Sequence, residues 1–334
     1  MPSKLIRYGT NLFKSLSYNF KHKTNYLLIT TTSEKEFECK VCGENGFHEI
    51  SNIPVDEINE MIEISFLFKG DPKLKELYDY SNGGGIRLCN CLGCNSLTTL
   101  ETIPTDKIDE FYGYLYGTYD LYSGEKWEFS RVLNYLKKQD RGALLEFGGG
   151  NGNFFTKLLE RTDYEVDDII GYDFGEGNKE LNIHPMDISK EVISSNDTYK
   201  YVISFNFLEH LQNYEAFFES LNSITNAEST IIISVPARYF PSIIFNNYSV
   251  FELPPHHVTH FSIDGMKKLF RNNGFDCFKV ELEEENTNSI KYFYQILSNL
   301  FSYLAISRKK KDIIAKDFSK KSMICFFKKQ TDFN

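Results

Sequence analysis

The sequence predicts an α/β chain: a doubly wound, mainly parallel sheet from Gly142 onward, with a small cysteine-bracketed module in front of it. Three observations carry this. Six short apolar runs suited to buried strands arrive at fairly even intervals, Ala143 to Phe147, Asp168 to Tyr172, Tyr201 to Phe205, Thr230 to Val235, Phe275 to Val280 and Met323 to Phe327. Helical patterns lie between several of them, as at Phe154 to Leu159 and Met266 to Phe270, and strands alternating with helices wind into a parallel sheet. Five of the seven cysteines crowd into two clusters ahead of that region.

At 334 residues, 41% hydrophobic and 25% charged, the chain has the profile of a folded globule with room for one full-size core and a smaller unit. Its net charge of -9, from 46 acidic and 37 basic residues, lacks the polycation that a phosphate backbone demands, which disfavours a dedicated nucleic-acid binder. The apolar stretches fall short of the ~20 residues that cross a bilayer, so no transmembrane span is expected. Clustered cysteines in odd number suit a metal site in a reducing compartment better than disulfides, and the expected location is cytoplasmic.

Four segments differ in texture. Residues 1–35 are a basic, aromatic lead-in carrying Lys4, Arg7, Lys14, Lys21 and Lys23 with no acid before Glu34, without the features of a secretory signal. Such a run is either a solvated face or a patch for anionic lipid or a partner. Residues 36–96 are the cysteine-bracketed module. Residues 97–140 form a connector rich in tyrosine (Tyr112, Tyr114, Tyr116, Tyr119, Tyr122), read either as the packing of a linker helix or as a lid and stacking surface. Residues 141–334 are the core, in which 283–322, with its Arg308 to Lys311 run, reads as a helical insertion before the last strand. Ser262 is placed to cap the helix around Met266, and Gly274 to end it.

Within the module, Cys39-Lys40-Val41-Cys42 and Cys91-Leu92-Gly93-Cys94 are two C-x-x-C knuckles, the pattern of a closed tetrahedral zinc site. Cys89 lies just outside the second knuckle as a possible substitute ligand. Four thiolates leave no open coordination position, so the expected role of the zinc is structural.

The most informative stretch is Leu144-Leu145-Glu146-Phe147-Gly148-Gly149-Gly150-Asn151-Gly152-Asn153, a buried strand ending in an acid and running through alternate glycines into a helix. Glycines there admit a ligand close to the backbone. The third glycine of a G-x-G-x-x-G dinucleotide fingerprint is missing, and no lysine follows as in a phosphate-binding P-loop. Twenty-one positions after Gly152, at the end of the next apolar run, Asp173 can accept hydrogen bonds from both hydroxyls of a ribose. Asp187, in Pro185-Met186-Asp187-Ile188, is a third acid suited to an adenine amino group. Together they describe a nucleoside site.

From about Gly142 onward the residues resemble the class I S-adenosylmethionine-dependent methyltransferases. Ser204-Phe205-Asn206-Phe207-Leu208-Glu209-His210-Leu211 is similar to the LEHL segment of their small-molecule members, and Pro255-His256-His257-Val258-Thr259-His260-Phe261-Ser262 followed by Asn273-Gly274-Phe275 to their H-x-x-H-F-S and G-F segments. The resemblance implies a Rossmann-like sheet of seven strands whose last strand runs antiparallel. It assigns Glu146, Gly148, Gly150 and Gly152 to the methionine part of the cofactor, Asp173 to the ribose, Asp187 with Ile188 to the adenine, and Asn206 to the same site. An amino-terminal zinc module before such a core resembles sugar C-methyltransferases and shorter enzymes of polysaccharide or deoxysugar biosynthesis. The missing third domain weighs against carbon methylation, and the missing N-P-P-Y type segment against base methylation.

Methyl transfer to a hydroxyl needs a base. His210, just past the strand that faces the methyl group in this family, is the first candidate, with His257 and His260 second and His256 as a solvated neighbour. A metal reading of His256, His257 and His260 lacks an acidic partner at ligand spacing. The leading expectation is methylation of a hydroxyl on a sugar, nucleotide sugar or related small molecule. Alternatives are RNA methylation with the zinc module as grip, and a cofactor-binding scaffold at a membrane surface.

Overall fold

The computed structural model describes residues 37–65, 68–79, 85–99, 103–119, 126–194, 197–237, 252–284 and 320–331. The lead-in at 1–35, Tyr122 and nearly all of the 283–322 insertion lie outside the described residues.

The larger sheet has seven strands: β4 (Leu144–Phe147), β5 (Ile169–Asp173), β6 (Ile183–Pro185), β7 (Tyr201–Phe205), β8 (Thr230–Pro236), β10 (Phe275–Glu284) and β11 (Lys320–Lys329). Their spatial order is β10-β11-β8-β7-β4-β5-β6. The pairs from β8 through β6 are parallel, whereas β11 runs antiparallel to both β8 and β10, as the resemblance implies. The central strands β4, β7, β8 and β11 are buried on both faces, whereas the edge strands β6 and β10 are partly exposed. Leu144, Tyr201, Ile203, Ile232, Ile324 and Phe326 point to one side, where α4 (Trp127–Leu136) and α5 (Asn153–Arg161) bring Phe129, Val132, Leu133, Phe154 and Leu158. Their neighbours Leu145, Phe147, Val202, Ile231, Ile233 and Phe327 point to the other, against Phe217 and Leu221 of α6 (Glu215–Ile224) and Met266 and Phe270 of α7 (Ile263–Asn272). The two-residue period of strands meeting the three-and-four spacing of helices gives the doubly wound sandwich.

At α7 the expected signals hold. Ser262 accepts a bond from Gly265 N–H at 2.8 Å at the amino end, and Gly274 takes a left-handed φ of +91° just past the other.

The smaller sheet is antiparallel. It contains β1 (Phe47–Ile53), β2 (Ile86–Cys91), β3 (Leu97–Thr99) and, beyond the core strands in sequence, β9 (Thr259–His260). Between β1 and β2 lie α1 (Val55–Ile64) and α2 (Pro72–Tyr78). Their apolar residues Ile58, Ile62, Leu74 and Leu77 pack with Leu88 and with Phe111 and Leu115 of α3 (Thr105–Thr118). This sheet crosses the segment boundary at residue 96, because β3 follows it and Leu97 pairs with His260 while Thr98 pairs with Thr259. The histidine-rich stretch is thereby one seam between the module and the core. Ser262 Oγ donates to the Cys94 carbonyl at 2.5 Å, and Lys268 Nζ to that of Gly93 at 2.6 Å, across the same seam.

Candidate functional site

Two adjacent parallel strands, β4 and β7, send their connections in opposite directions, to β5 and to β8, and the crevice at their carboxyl ends is where open α/β sheets bind ligands. The loop after β4 is shaped for close approach. Gly148, Gly150 and Gly152 all have left-handed φ, at +75°, +52° and +87°. A Cβ on Gly148 would sit 2.9 Å from the Phe207 ring, and one on Gly152 2.3 Å from Leu181. Gly148 N–H donates to the Tyr172 carbonyl at 2.8 Å and Gly150 N–H to Asp173 Oδ2 at 2.8 Å. The other Asp173 oxygen accepts from Gly175 N–H at 2.9 Å.

A cleft opens here, with Glu146, Gly148, Gly150, Asp173, Asn206 and His210 on its wall. Glu146 is 2% exposed, its Oε2 is buried without a hydrogen-bond partner, and burial, then the Asp173 charge, pushes its carboxyl well above the usual carboxylate range. Burial also raises Asp173, against the pull of its two backbone donors. Asn206 stands at a φ of +49° with its Oδ1 buried and unpartnered. Unsatisfied buried acceptors call for donors. An ammonium or sulfonium beside Glu146, a diol beside Asp173 and a donor for Asn206 are groups that S-adenosylmethionine carries, so the wall fits that cofactor.

Three assigned residues stand off this wall. Gly152 instead caps α5, and Ile188 is packed in the core at 2% exposure. Asp187 Oδ1 accepts from Ser189 N–H at 3.0 Å and Ser189 Oγ at 2.5 Å, and its Oδ2 pairs with Lys190 at 2.9 Å. Burial pushes this carboxyl up, yet Lys190 and Ser189 outweigh it and hold the group below its ordinary value. Conversely, Lys126, Phe129 and Phe207 line the cleft without having been singled out by sequence. Lys126 carries no local motif, and its ammonium lies 5.7 Å from the Phe129 ring centroid, where it offers a cation to a carboxylate ligand. Phe207 could have been found from its place inside the N-F-L-E-H stretch.

The histidines divide. Of the four candidate histidines, His210 alone lines the cleft. Its Nδ1 lies 2.7 Å from the His256 carbonyl and 2.9 Å from the Tyr112 hydroxyl, which donates to that same carbonyl at 2.9 Å. Its Nε2 lies 3.1 Å from the Asn206 carbonyl, so each ring nitrogen faces a carbonyl acceptor, and a neutral ring donates to one of the two. Burial pulls His210 down to about 4, partly offset by its bonds to the His256 and Asn206 carbonyls. Glu209 Oε1 lies 3.8 Å from Nε2; both Glu209 oxygens are buried without hydrogen-bond partners, and burial pushes the carboxyl up to about 8. His257 and His260 lie off the cleft wall, next to Glu252, with His257 kept neutral by burial and by the neighbouring His210 and His260. His256 is 7% exposed and stacks on His257, so it is no solvated neighbour.

In the module, Cys39, Cys42, Cys91 and Cys94 bring their sulfurs within 4.8 Å of one another. Cys39 and Cys94 are 3.8 Å apart and Cys42 and Cys91 3.5 Å, far beyond a disulfide bond and close to the edge of about 3.8 Å in a tetrahedron of Zn–S bonds. Each knuckle is turned by a left-handed residue after its second cysteine, Gly43 (φ +79°) and Asn95 (φ +64°), whose N–H donates to the carbonyl of the first cysteine. Thiols of Cys39 and Cys94 pull Cys91 down to about 2, the same contact with Cys91 drives Cys39 upward, and burial first pushes Cys42 up to about 12. Four sulfurs gathered at this spacing form a donor set that a tetrahedral metal ion would fit. Cys89 is buried outside the tetrad.

Residues 125–280 match the family model described as a methyltransferase domain. Among solved structures, the chain is similar to an S-adenosylmethionine-dependent methyltransferase from Archaeoglobus fulgidus, at 21% identity over 60% of this chain and 92% of that one, with a TM-score of 0.41. It is also similar to 1,6-didemethyltoxoflavin-N1-methyltransferase from Burkholderia thailandensis, at 10% identity over 72% and 98% of the two chains, with a TM-score of 0.44. No curated protein matches the chain. Among the described residues no helix is long and apolar enough to cross a membrane.

Proposed function

We propose that the chain transfers the methyl group of S-adenosylmethionine to a hydroxyl of a small acceptor of the sugar or nucleotide-sugar class, with His210 as base. The observation that carries this is the shared wall of one cleft: Glu146, the left-handed glycines and Asp173 on the cofactor side, and His210 beyond Asn206. Glu146 holds the cationic end of the cofactor, Asp173 its ribose, and Lys126 its carboxylate. An acceptor oxygen attacks the methyl carbon in line with the departing sulfur, and its proton passes to His210 Nε2. In the Nδ1–H tautomer, which donates to the His256 carbonyl, this nitrogen is the unprotonated one, and once it has taken the proton it donates to the Asn206 carbonyl 3.1 Å away. Tyr112 and the partly exposed Phe174, ring centroids 6.3 Å apart, supply aromatic faces on which a sugar can stack.

The cysteine tetrad holds a structural zinc ion. It locks the module against α7 and, through β3 and β9, fixes the histidine stretch that carries Tyr112's carbonyl partner. The function is tested by incubating the protein with S-adenosylmethionine and a panel of sugars, nucleotide sugars and non-sugar alcohols, and measuring S-adenosylhomocysteine release. Turnover with hydroxyl acceptors that is lost in His210→Ala supports the reading; turnover confined to amines or thiols contradicts it.

A further inference from the structure

We propose that Glu252, His257 and His260 form a second metal site, one that takes a divalent transition-metal ion at the seam between the module and the methyl-transfer cleft. The sequence shows two histidines three apart but no acid at ligand spacing; the fold supplies one, five residues before His257. One ligand atom from each of the three lies within 4.8 Å of the others. Glu252 Oε2 is 3.4 Å from His257 Nδ1 and 3.8 Å from His260 Nδ1. A charge-assisted imidazole–carboxylate hydrogen bond closes to about 2.8 Å, whereas ligand atoms about 2.1 Å from a common ion stand about 3.4 Å apart in a tetrahedron. The observed 3.4 and 3.8 Å are too long for the first and closer to the second.

The orientation of His260 fits a ligand. Its Nε2–H donates to the backbone carbonyl of Glu252 at 2.8 Å, which fixes the tautomer and leaves Nδ1 facing the carboxylate of that same residue. Metal-bound histidines are held in this way. His210 stands outside this set: its Nδ1 faces the His256 carbonyl and its Nε2 that of Asn206, and its ring nitrogen gathers instead with those of His256 and His257. Two imidazoles and one carboxylate favour iron, cobalt, nickel or zinc over magnesium or calcium, and leave coordination positions open. Both histidines are buried while Glu252 is one-third exposed, so those positions are reachable from one side. The His257 ring lies 4.9 Å from that of His210, which puts an acceptor oxygen bound to the ion beside the proposed base.

The test is a cobalt titration of the full chain after chelator stripping, reading total bound cobalt and the visible and near-ultraviolet spectrum. Sulfur-to-cobalt charge transfer reports the cysteine tetrad alone. The wild type takes two equivalents, the first with that band and the second without it. His257→Ala/His260→Ala keeps the band and loses the second equivalent. Glu252→Gln, a milder change at a partly exposed residue, keeps the band and binds the second ion at least about 10-fold more weakly. One equivalent in the wild type, or two of unchanged affinity in Glu252→Gln, overturns the proposal; should the double variant fail to fold, Glu252→Gln decides alone. The count needs neither cofactor nor acceptor, so its failure leaves the methyl-transfer reading standing, and the reverse.

Discussion

The backbone N–H of Gly150 donates to Oδ2 of Asp173 at 2.8 Å, which makes the glycine loop after β4 and the end of β5 one hydrogen-bonded unit. With Gly175 N–H on its other oxygen, Asp173 is held in place before any ligand arrives, and its remaining lone pairs face the cleft. The acid is thus both a brace for the loop and a ligand-binding group.

Glu146 should make cofactor binding depend on pH. Burial raises its carboxyl, so the free protein holds that proton well past the ordinary carboxylate range, whereas a bound cation requires the ionised form. Affinity for S-adenosylmethionine therefore rises with pH through the raised value. Glu146→Gln flattens that dependence and weakens binding about 10-fold or more. Calorimetry at several pH values checks both, and an unchanged pH dependence in the variant contradicts the assignment.

His210→Ala should lower kcat by roughly 10²–10⁴-fold, the usual contribution of a general base, while cofactor affinity stays nearly constant. Because burial pulls His210 down to about 4, its neutral form is present throughout the neutral range. The kcat/KM profile of the wild type then shows no ionisation near the ordinary histidine value of about 6.5. An inflection there that disappears in His210→Ala would mean the ring is not held as described.

Glu209 gives a stability prediction. Its carboxyl titrates at about 8 in the folded chain against an ordinary 4.5, so the folded state binds more protons between those values. Its contribution is full below pH 4.5 and is lost as pH rises to about 8. His210 acts oppositely, its contribution being lost as pH falls from 6.5 to about 4, so the two separate above 6.5. In urea unfolding, the wild type should lose more stability than Glu209→Gln between about pH 6.5 and 8.5. Equal losses would show that the carboxyl is ionised when folded.

Removing the tetrad's metal should unfold the module first. Cys42→Ser is expected to lose one bound zinc and to lower Tm, with the loss reproduced in the wild type by a strong chelator. Because β9 pairs with β3, the same treatment should also loosen the Tyr112–His210 contact and depress kcat. A chelated protein with unchanged Tm would remove zinc from the account.

How much of this could be read in advance follows from how local each signal is. The central core strands were legible because each is a short run buried on both faces, and the glycine loop because left-handed φ at Gly148, Gly150 and Gly152 demands those residues locally. The C-x-x-C knuckles showed each half of the tetrad, though only folding brings Cys39 to Cys94 and leaves Cys89 aside. Pairing of Leu97 with His260 was illegible, since it joins residues far apart in sequence through a two-residue strand. The partners of Asp187, Ser189 on one oxygen and Lys190 on the other, were not legible, since they depend on how the loop after β6 turns. Lys126 and Glu252 carry no motif and enter their sites only through tertiary placement.

The central claim is that the cleft binds S-adenosylmethionine through Glu146 and Asp173. Its most direct test is a calorimetric titration of the purified protein with S-adenosylmethionine and S-adenosylhomocysteine, repeated on Asp173→Ala, with NADH as control. Saturable binding of both sulfur compounds, weakened at least about 10-fold in the variant and absent for NADH, is the predicted result. Binding of neither compound to a folded wild-type protein, or equal binding to Asp173→Ala, would contradict the account.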